Sequence, residues 1–146
     1  MSDGSPSYDD VLIPTDGSPR SEHAVDHGLE LADRADATVH SVYVVDERRY
    51  GETPALSSYE IAFEQFERKG EELTEDVARR ARELGLGTTT EVTRGLPHEE
   101  ITEHAEDEDV DIIVMGRTGA GGAERPLVGS VPGRVLRTTD IPTLPV

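Results

Sequence analysis

From Asp111 to Ser130 the chain reads D-I-I-V-M-G-R-T-G-A-G-G-A-E-R-P-L-V-G-S. Ile112, Ile113, Val114 and Met115 are a short apolar run rich in β-branched side chains and closed by Gly116, which is the pattern of a strand buried on both faces. Such strands sit in the middle of parallel sheets covered by helices on both sides. After the run come Gly116, Gly119, Gly121, Gly122 and Gly129, and then Ser130 opens a new apolar pattern at Val131, Val135 and Leu136. Strand, glycine loop and helix in this order allow two arrangements. One is a cradle in which glycines let the backbone approach a ligand and a helix start aims N–H groups at an anion. The other is an ordinary surface loop ended by a Ser N-cap.

Outward from this stretch, strands and helices alternate. Val11 to Ile13 is a buried strand ended by Pro14, and the turn cluster Thr15-Asp16-Gly17-Ser18-Pro19 opens a helix from about Ser21 to Ala35, with Ala24, Val25, Gly28, Leu29 and Ala32 on its apolar face. A second strand is expected over Thr38 to Val45 and a mobile loop over Arg48 to Ser57. A long helix follows from Ser58 to about Leu84, interrupted by Gly70 and ended by Gly85. Thr88 to Thr93 is the third strand, Leu96-Pro97 leads into a helix through Ile101 and Ala105, and a last helix over Val131 to Thr138 precedes a terminal strand over Ile141 to Val146. This alternation predicts a single α/β domain over residues 10–146, a three-layer sandwich with an open parallel sheet, behind an acidic tail at 1–9.

Composition narrows the function classes. The chain has 31 Asp and Glu against 14 Lys and Arg, a net charge of −17, and thirteen of the cations are Arg. A field of that sign repels nucleic acid and anionic membrane surfaces, and no basic block offsets it, so neither is an expected partner. Screening over roughly 3 Å at about 1 M salt would relieve the self-repulsion, which points to a halophilic source. There is no cysteine, hence neither disulfide nor thiolate chemistry. The polar first ten residues carry no secretory signal and no apolar run reaches membrane-spanning length, so a cytoplasmic protein is expected.

Several motifs fail on inspection. A Walker loop needs G-x-x-x-x-G-K-[ST], but Gly121 is followed by Gly122, and the one lysine, Lys69, lies in the long helix. The dinucleotide fingerprint fails because Gly119-Ala120-Gly121 is followed by Glu124 where the third glycine belongs. His98-Glu99 does not begin a zinc site, since Thr102 stands at the second histidine position. His23 and His27 share one face of the first helix, a spacing a metal can use, although an exposed face without a third ligand is the pattern of solvated histidines. No catalytic residue is assigned.

What fits is G-x2-G-x9-G-S, formed by Gly116, Gly119, Gly129 and Ser130. After a strand ending in Met-Gly, this resembles the ATP-binding motif of the universal stress protein family. The stretches Val11 to Ser18, Gly95 to Ile101 and Val131 to Pro142 also resemble that family, in the right order, so the resemblance spans nearly the whole chain. It implies a Rossmann-like fold, akin to the adenine-nucleotide α-hydrolases, with strand order 3-2-1-4-5. Ligands of such sheets bind past the carboxyl ends of the strands where the order reverses.

The resemblance implies a nucleotide site made of Pro14, Thr15, Asp16, Val44, Met115, Gly116, Gly119, Gly129, Ser130 and Val131. Val44 would meet adenine through its backbone, Asp16 would meet ribose or a nucleotide-bound Mg²⁺, and the glycine loop with Ser130 would hold phosphates. Asp16 equally suits a turn residue capping the next helix. Arg117 and Arg125 either supplement the phosphate contacts or balance Glu124 in solvent. The cofactor implied is ATP, or another adenine nucleotide, with Mg²⁺. A nucleotide-dependent stress regulator or sensor follows, with at most slow hydrolysis or autophosphorylation. The alternative is a protein–protein adaptor of the same fold, its partner not identified by the sequence. The α-hydrolase enzymes themselves carry S-G-G-x-D-S after the first strand, which Thr15-Asp16-Gly17-Ser18-Pro19 does not match. The resemblance also implies a homodimer through the C-terminal strand, where Pro145 removes a donor.

Overall fold

A computed structural model describes residues 7–48, 56–117 and 129–146. Its elements are β1 (Asp10–Pro14), α1 (Pro19–Ala35), β2 (Thr38–Asp46), α2 (Leu56–Glu83), β3 (Thr88–Gly95), α3 (Pro97–Asp107), β4 (Ile112–Met115), α4 (Ser130–Thr138) and β5 (Thr143–Pro145). The sheet runs β3-β2-β1-β4-β5, with every pair parallel. This is the order that the family resemblance implies, and it reverses between β1 and β4.

The period of two in β1 and β4 feeds both faces of the sheet. Val11, Ile13, Ile112 and Val114 pack against Ala24, Val25, Leu29 and Ala32 of α1 and Val77 and Ala81 of α2. Leu12, Ile113 and Met115 pack on the opposite side against Ile101 and Ala105 of α3 and Val135 of α4. Leu12, Ile13 and Ile113 are wholly inaccessible, and each contributes about 1.5–3 kcal/mol by leaving water.

Helix ends follow local chemistry. Ser18 caps α1, its hydroxyl accepting from the Ser21 N–H at 3.2 Å. Gly85 (φ +78) ends α2, with the Leu86 N–H returning to the Ala81 carbonyl. Pro97 opens α3, where Leu96 offers no side-chain cap and Glu99 and Glu100 supply negative charge to the first turn. Glu100 also turns back to accept from Thr93 Oγ1 at 2.8 Å.

Several boundaries differ from the sequence expectation: β1 takes in Asp10 and Pro14, α1 starts at Pro19, β2 takes in Asp46, β3 extends to Gly95 and α4 starts at Ser130. α2 already begins at Leu56, inside the loop expected over 48–57, and residues 49–55 of that loop lie outside the described residues. At the C-terminus only Thr143–Pro145 pairs as strand. The Ile113 N–H donates to Pro142 and the Val146 N–H to Met115, so even-numbered residues of β5 face β4 and odd-numbered ones face outward. Pro145 therefore lacks its N–H on the open edge, where the omission costs the sheet nothing.

Polar groups at the far end of the sheet are satisfied internally. His40, 4 % exposed, pairs Nε2 with Asp10 Oδ1 at 2.8 Å and Nδ1 with Thr89 Oγ1 at 2.7 Å. Asp111 Oδ2 accepts from the N–H groups of both Asp9 and Asp10, joining the entry of β1 to that of β4. These residues hold strands together at the end away from the crevice.

Arginine–carboxylate pairs such as Arg79 with Asp76 and Glu83 and Arg80 with Asp26 and Glu22 lie at the surface. Pairing equal and opposite charges leaves the net charge of −17 unchanged. The unfolding midpoint is expected to rise as KCl increases from about 0.1 M to about 2 M, because screening weakens the self-repulsion. Thermal unfolding followed by circular dichroism checks this, and a midpoint that falls over the same range would contradict it.

Candidate functional site

At the carboxyl end of β1 the chain is held by a closed set of hydrogen bonds. The Thr15 N–H continues the ladder to Val42 at 3.0 Å. Ser21, buried in the first turn of α1, donates from Oγ to Thr15 Oγ1 at 2.9 Å and accepts there from the Asp16 N–H at 3.0 Å. Asp16 Oδ1 in turn accepts from the Ser18 N–H at 2.8 Å. Asp16 thus closes the turn ahead of α1 while Ser18, not Asp16, caps the helix, and its carboxylate is held in place by the fold before any ligand arrives. Ser21 was not singled out from the sequence. Its role depends on where α1 starts, which spacing alone does not specify.

Val44 is positioned by parity. Even-numbered residues of β2 turn their backbone groups toward β1, as in the Thr38 N–H bond to Asp9 and the Thr15 N–H bond to Val42, while the Val39 N–H turns to Gly87 beside β3. The register ends with Pro14 opposite Val42, whereas β2 continues to Asp46. The N–H and C=O of Val44 therefore point over the end of β1, into the crevice. Asp46, further along, is engaged by the N–H, Nε and Nη2 of Arg48. Hydrogen bonding to Asp46 holds the Arg48 guanidinium above its ordinary pKa range.

On the other side of the crevice, Gly116 follows β4 and lies against α1. A Cβ added there would come within 3.0 Å of the carbonyl carbon and oxygen of Arg20 and 3.1 Å of the Ser21 nitrogen. Next, the Arg117 N–H donates to Val146, and its carbonyl accepts from the Gly129 N–H at 2.7 Å. The start of α4 is thereby fastened beside the end of β4. Gly119 and Arg125 lie outside the described residues, and Arg117 is half-buried.

This geometry revises two expectations. Gly129, not Ser130, is the N-cap of α4, so the ordinary Ser N-cap does not occur. The Gly129 N–H is committed to Arg117 and Pro132 has none, which leaves Ser130 and Val131 as the first-turn amides that can meet an anion. Gly133 closes the turn through its N–H to Gly129 at 2.9 Å. The structure brings Pro14, Thr15, Asp16, Met115, Gly116, Gly129, Ser130 and Val131 to the strand ends where the order reverses, with Val44 facing the same crevice from β2. Among the described residues no group of three or more metal-ligating side chains occurs, so His23 and His27 stand as a pair, their rings edge to face at 4.6 Å. No helix of the described residues is long and apolar enough to cross a membrane.

Comparison with known proteins agrees with this architecture. The sequence model described as the universal stress protein family matches residues 7–146. Universal stress protein MJ0531 of Methanocaldococcus jannaschii is 41% identical over 139 residues, covering 95% of this chain and 82% of that protein. The solved structure of protein MJ0577, also from Methanocaldococcus jannaschii, superposes with a TM-score of 0.86 at 29% identity, over 97% of this chain and 96% of the other. A universal stress protein solved in complex with cAMP shares the fold, with a TM-score of 0.67 at 23% identity over 97% and 98% of the two chains.

Proposed function

The chain belongs to the universal stress protein family, and from that premise we propose that it binds an adenine nucleotide, ATP with Mg²⁺, in the crevice above β1 and β4. The observation that carries this is the convergence of two kinds of backbone donor. Val44 offers an N–H and a C=O over the end of β1, the pair that an adenine edge needs, while the Ser130 and Val131 amides stand at the end of β4, where the helix N-terminus favours phosphate. A relative of the same fold solved with cAMP supports an adenine ligand.

The residues fit the group. Gly116 seats the end of β4 against α1, Thr15 and Asp16 form a rigid wall, and phosphates would lie toward Gly119, Gly129 and Ser130, with Arg117 and Arg125 as supplementary cations. Mg²⁺ would come with the nucleotide's phosphates and offset their charge, and Asp16 is the carboxylate of the turn that would meet it. The ion also offsets the negative field of the protein. Among the described residues none at the crevice is arranged as a general base, in keeping with a nucleotide that acts as a regulatory signal with at most slow hydrolysis. The protein is a cytoplasmic stress-response sensor from a high-salt cell. It works as a homodimer through β5, whose outer edge must pair without a donor at Pro145.

The test is calorimetric titration with ATP and Mg²⁺ in molar KCl, on the wild type and on Gly129→Val. The backbone at Gly129 (φ −70, ψ 177) suits valine, so the variant should fold. Its side chain should obstruct the phosphate end, weakening binding by tenfold or more, about 1.4 kcal/mol. A folded wild type that takes up no adenine nucleotide would end the proposal in favour of an adaptor function.

A further inference from the structure

The chain has one lysine, Lys69, and the fold brings it from α2 to the Asp16–Gly17 turn that follows β1. At Gly17 (φ +81) the place a Cβ would take lies 3.2 and 3.4 Å from the two methyl groups of Leu73 and 3.7 Å from Cε of Lys69. The stem of Lys69 therefore runs along the Asp16–Gly17 turn, and the ammonium is one bond beyond Cε. Lys69 is exposed while Leu73 is half-buried, so the stem is packed and the charged end reaches water.

This placement has a structural cause one residue further on. Gly70 is buried against the ring of Tyr43, where a Cβ would come within 2.5 Å of Cδ1. The missing side chain lets α2 sit close over β2, and that approach carries Lys69 to the turn. In a protein of net charge −17, an ammonium beside this turn offers an anionic ligand a direct charge-assisted contact, which screening over roughly 3 Å at about 1 M salt largely spares.

We propose that Lys69 is the ammonium of this site, a specificity-determining residue that favours the phosphate-bearing nucleotide over the bare nucleoside. The proposal rests on the nucleotide-binding function argued above. It places the cation on a helix distant in sequence, where a Walker loop would carry it on the glycine loop itself.

The experiment titrates wild type, Lys69→Gln and Lys69→Arg with ATP–Mg²⁺ and with adenosine in molar KCl, with circular dichroism at the same salt to verify the fold. Lys69→Gln is expected to weaken ATP roughly tenfold, the scale of one charge-assisted hydrogen bond, and to leave adenosine affinity within about twofold. Lys69→Arg should bind ATP more tightly than Lys69→Gln, because the charge is retained. Equal losses for ATP and adenosine would make Lys69 a packing residue of the turn, and unchanged ATP affinity in Lys69→Gln would remove it from the site. Either result overturns this role while the nucleotide site stands. A wild type that binds neither ligand overturns both.

Discussion

Gly116→Val is expected to destabilise the protein by about 3 kcal/mol, the upper range for overpacking a tight contact, and to abolish nucleotide binding at concentrations that saturate the wild type. The added Cβ would meet the carbonyl carbon and oxygen of Arg20 at 3.0 Å and the Ser21 nitrogen at 3.1 Å. These are backbone atoms in the first turn of α1, and no rotamer change can move them aside. Relief requires β4 and α1 to separate. Ser21 holds Thr15 and Asp16 through its hydroxyl, so the separation would disturb both walls of the crevice at once. Chemical denaturation in constant high salt gives the stability change and ATP titration gives the binding loss. A variant with the wild-type midpoint would show that the end of β4 is not wedged against α1.

Gly70→Ala is expected to destabilise by about 2 kcal/mol, against the direction of helix propensity. In an exposed helix interior the same substitution stabilises by roughly 1 kcal/mol, since alanine restricts the unfolded chain and glycine does not. Here the new methyl would lie 2.5 Å from Cδ1, 2.8 Å from Cγ and 3.2 Å from Cβ of Tyr43. Tyr43 is only 5 % exposed and belongs to a cluster with Val45, Phe63, Phe66, Leu73 and Val92. Turning the ring about its own axis moves neither Cγ nor Cβ, so α2 must lift from β2. The sign of the measured change decides between propensity and packing. A rise in the unfolding midpoint would mean that α2 has room to shift.

The fold was legible because its signals are local. Apolar runs at Val11–Ile13 and Ile112–Met115, helical periodicity after Ser18 and Pro97, and Gly85 as a helix stop act over a few residues, and the structure has the corresponding elements. The strand order rested on resemblance, and the pairing of β1 with both β2 and β4 agrees with it. Less was legible where a residue's role depends on a partner far along the chain. Gly70 read as an interruption of a helix and is a contact surface for Tyr43. Lys69 read as remote from the glycine loop and stands at the Asp16–Gly17 turn. Asp111 and His40, which tie strands together at the opposite end of the sheet, have no motif at all.

The sequence by itself determined the order of strands and helices, the two-faced burial of the central strands and the acidic charge balance. Each of these is encoded in neighbouring residues or in a sum over all of them. Only the tertiary structure decided that Val44 turns its backbone over the end of β1, that Gly129 gives its N–H to Arg117, that Pro145 lacks its donor on the outer edge, and that Lys69 reaches Gly17. The direction of a backbone group in a parallel sheet is fixed by register and by where the adjacent strand stops. The reach of a side chain is fixed by how closely its helix seats on the sheet. Both are set by contacts between segments far apart in the chain, which leave no pattern within either segment.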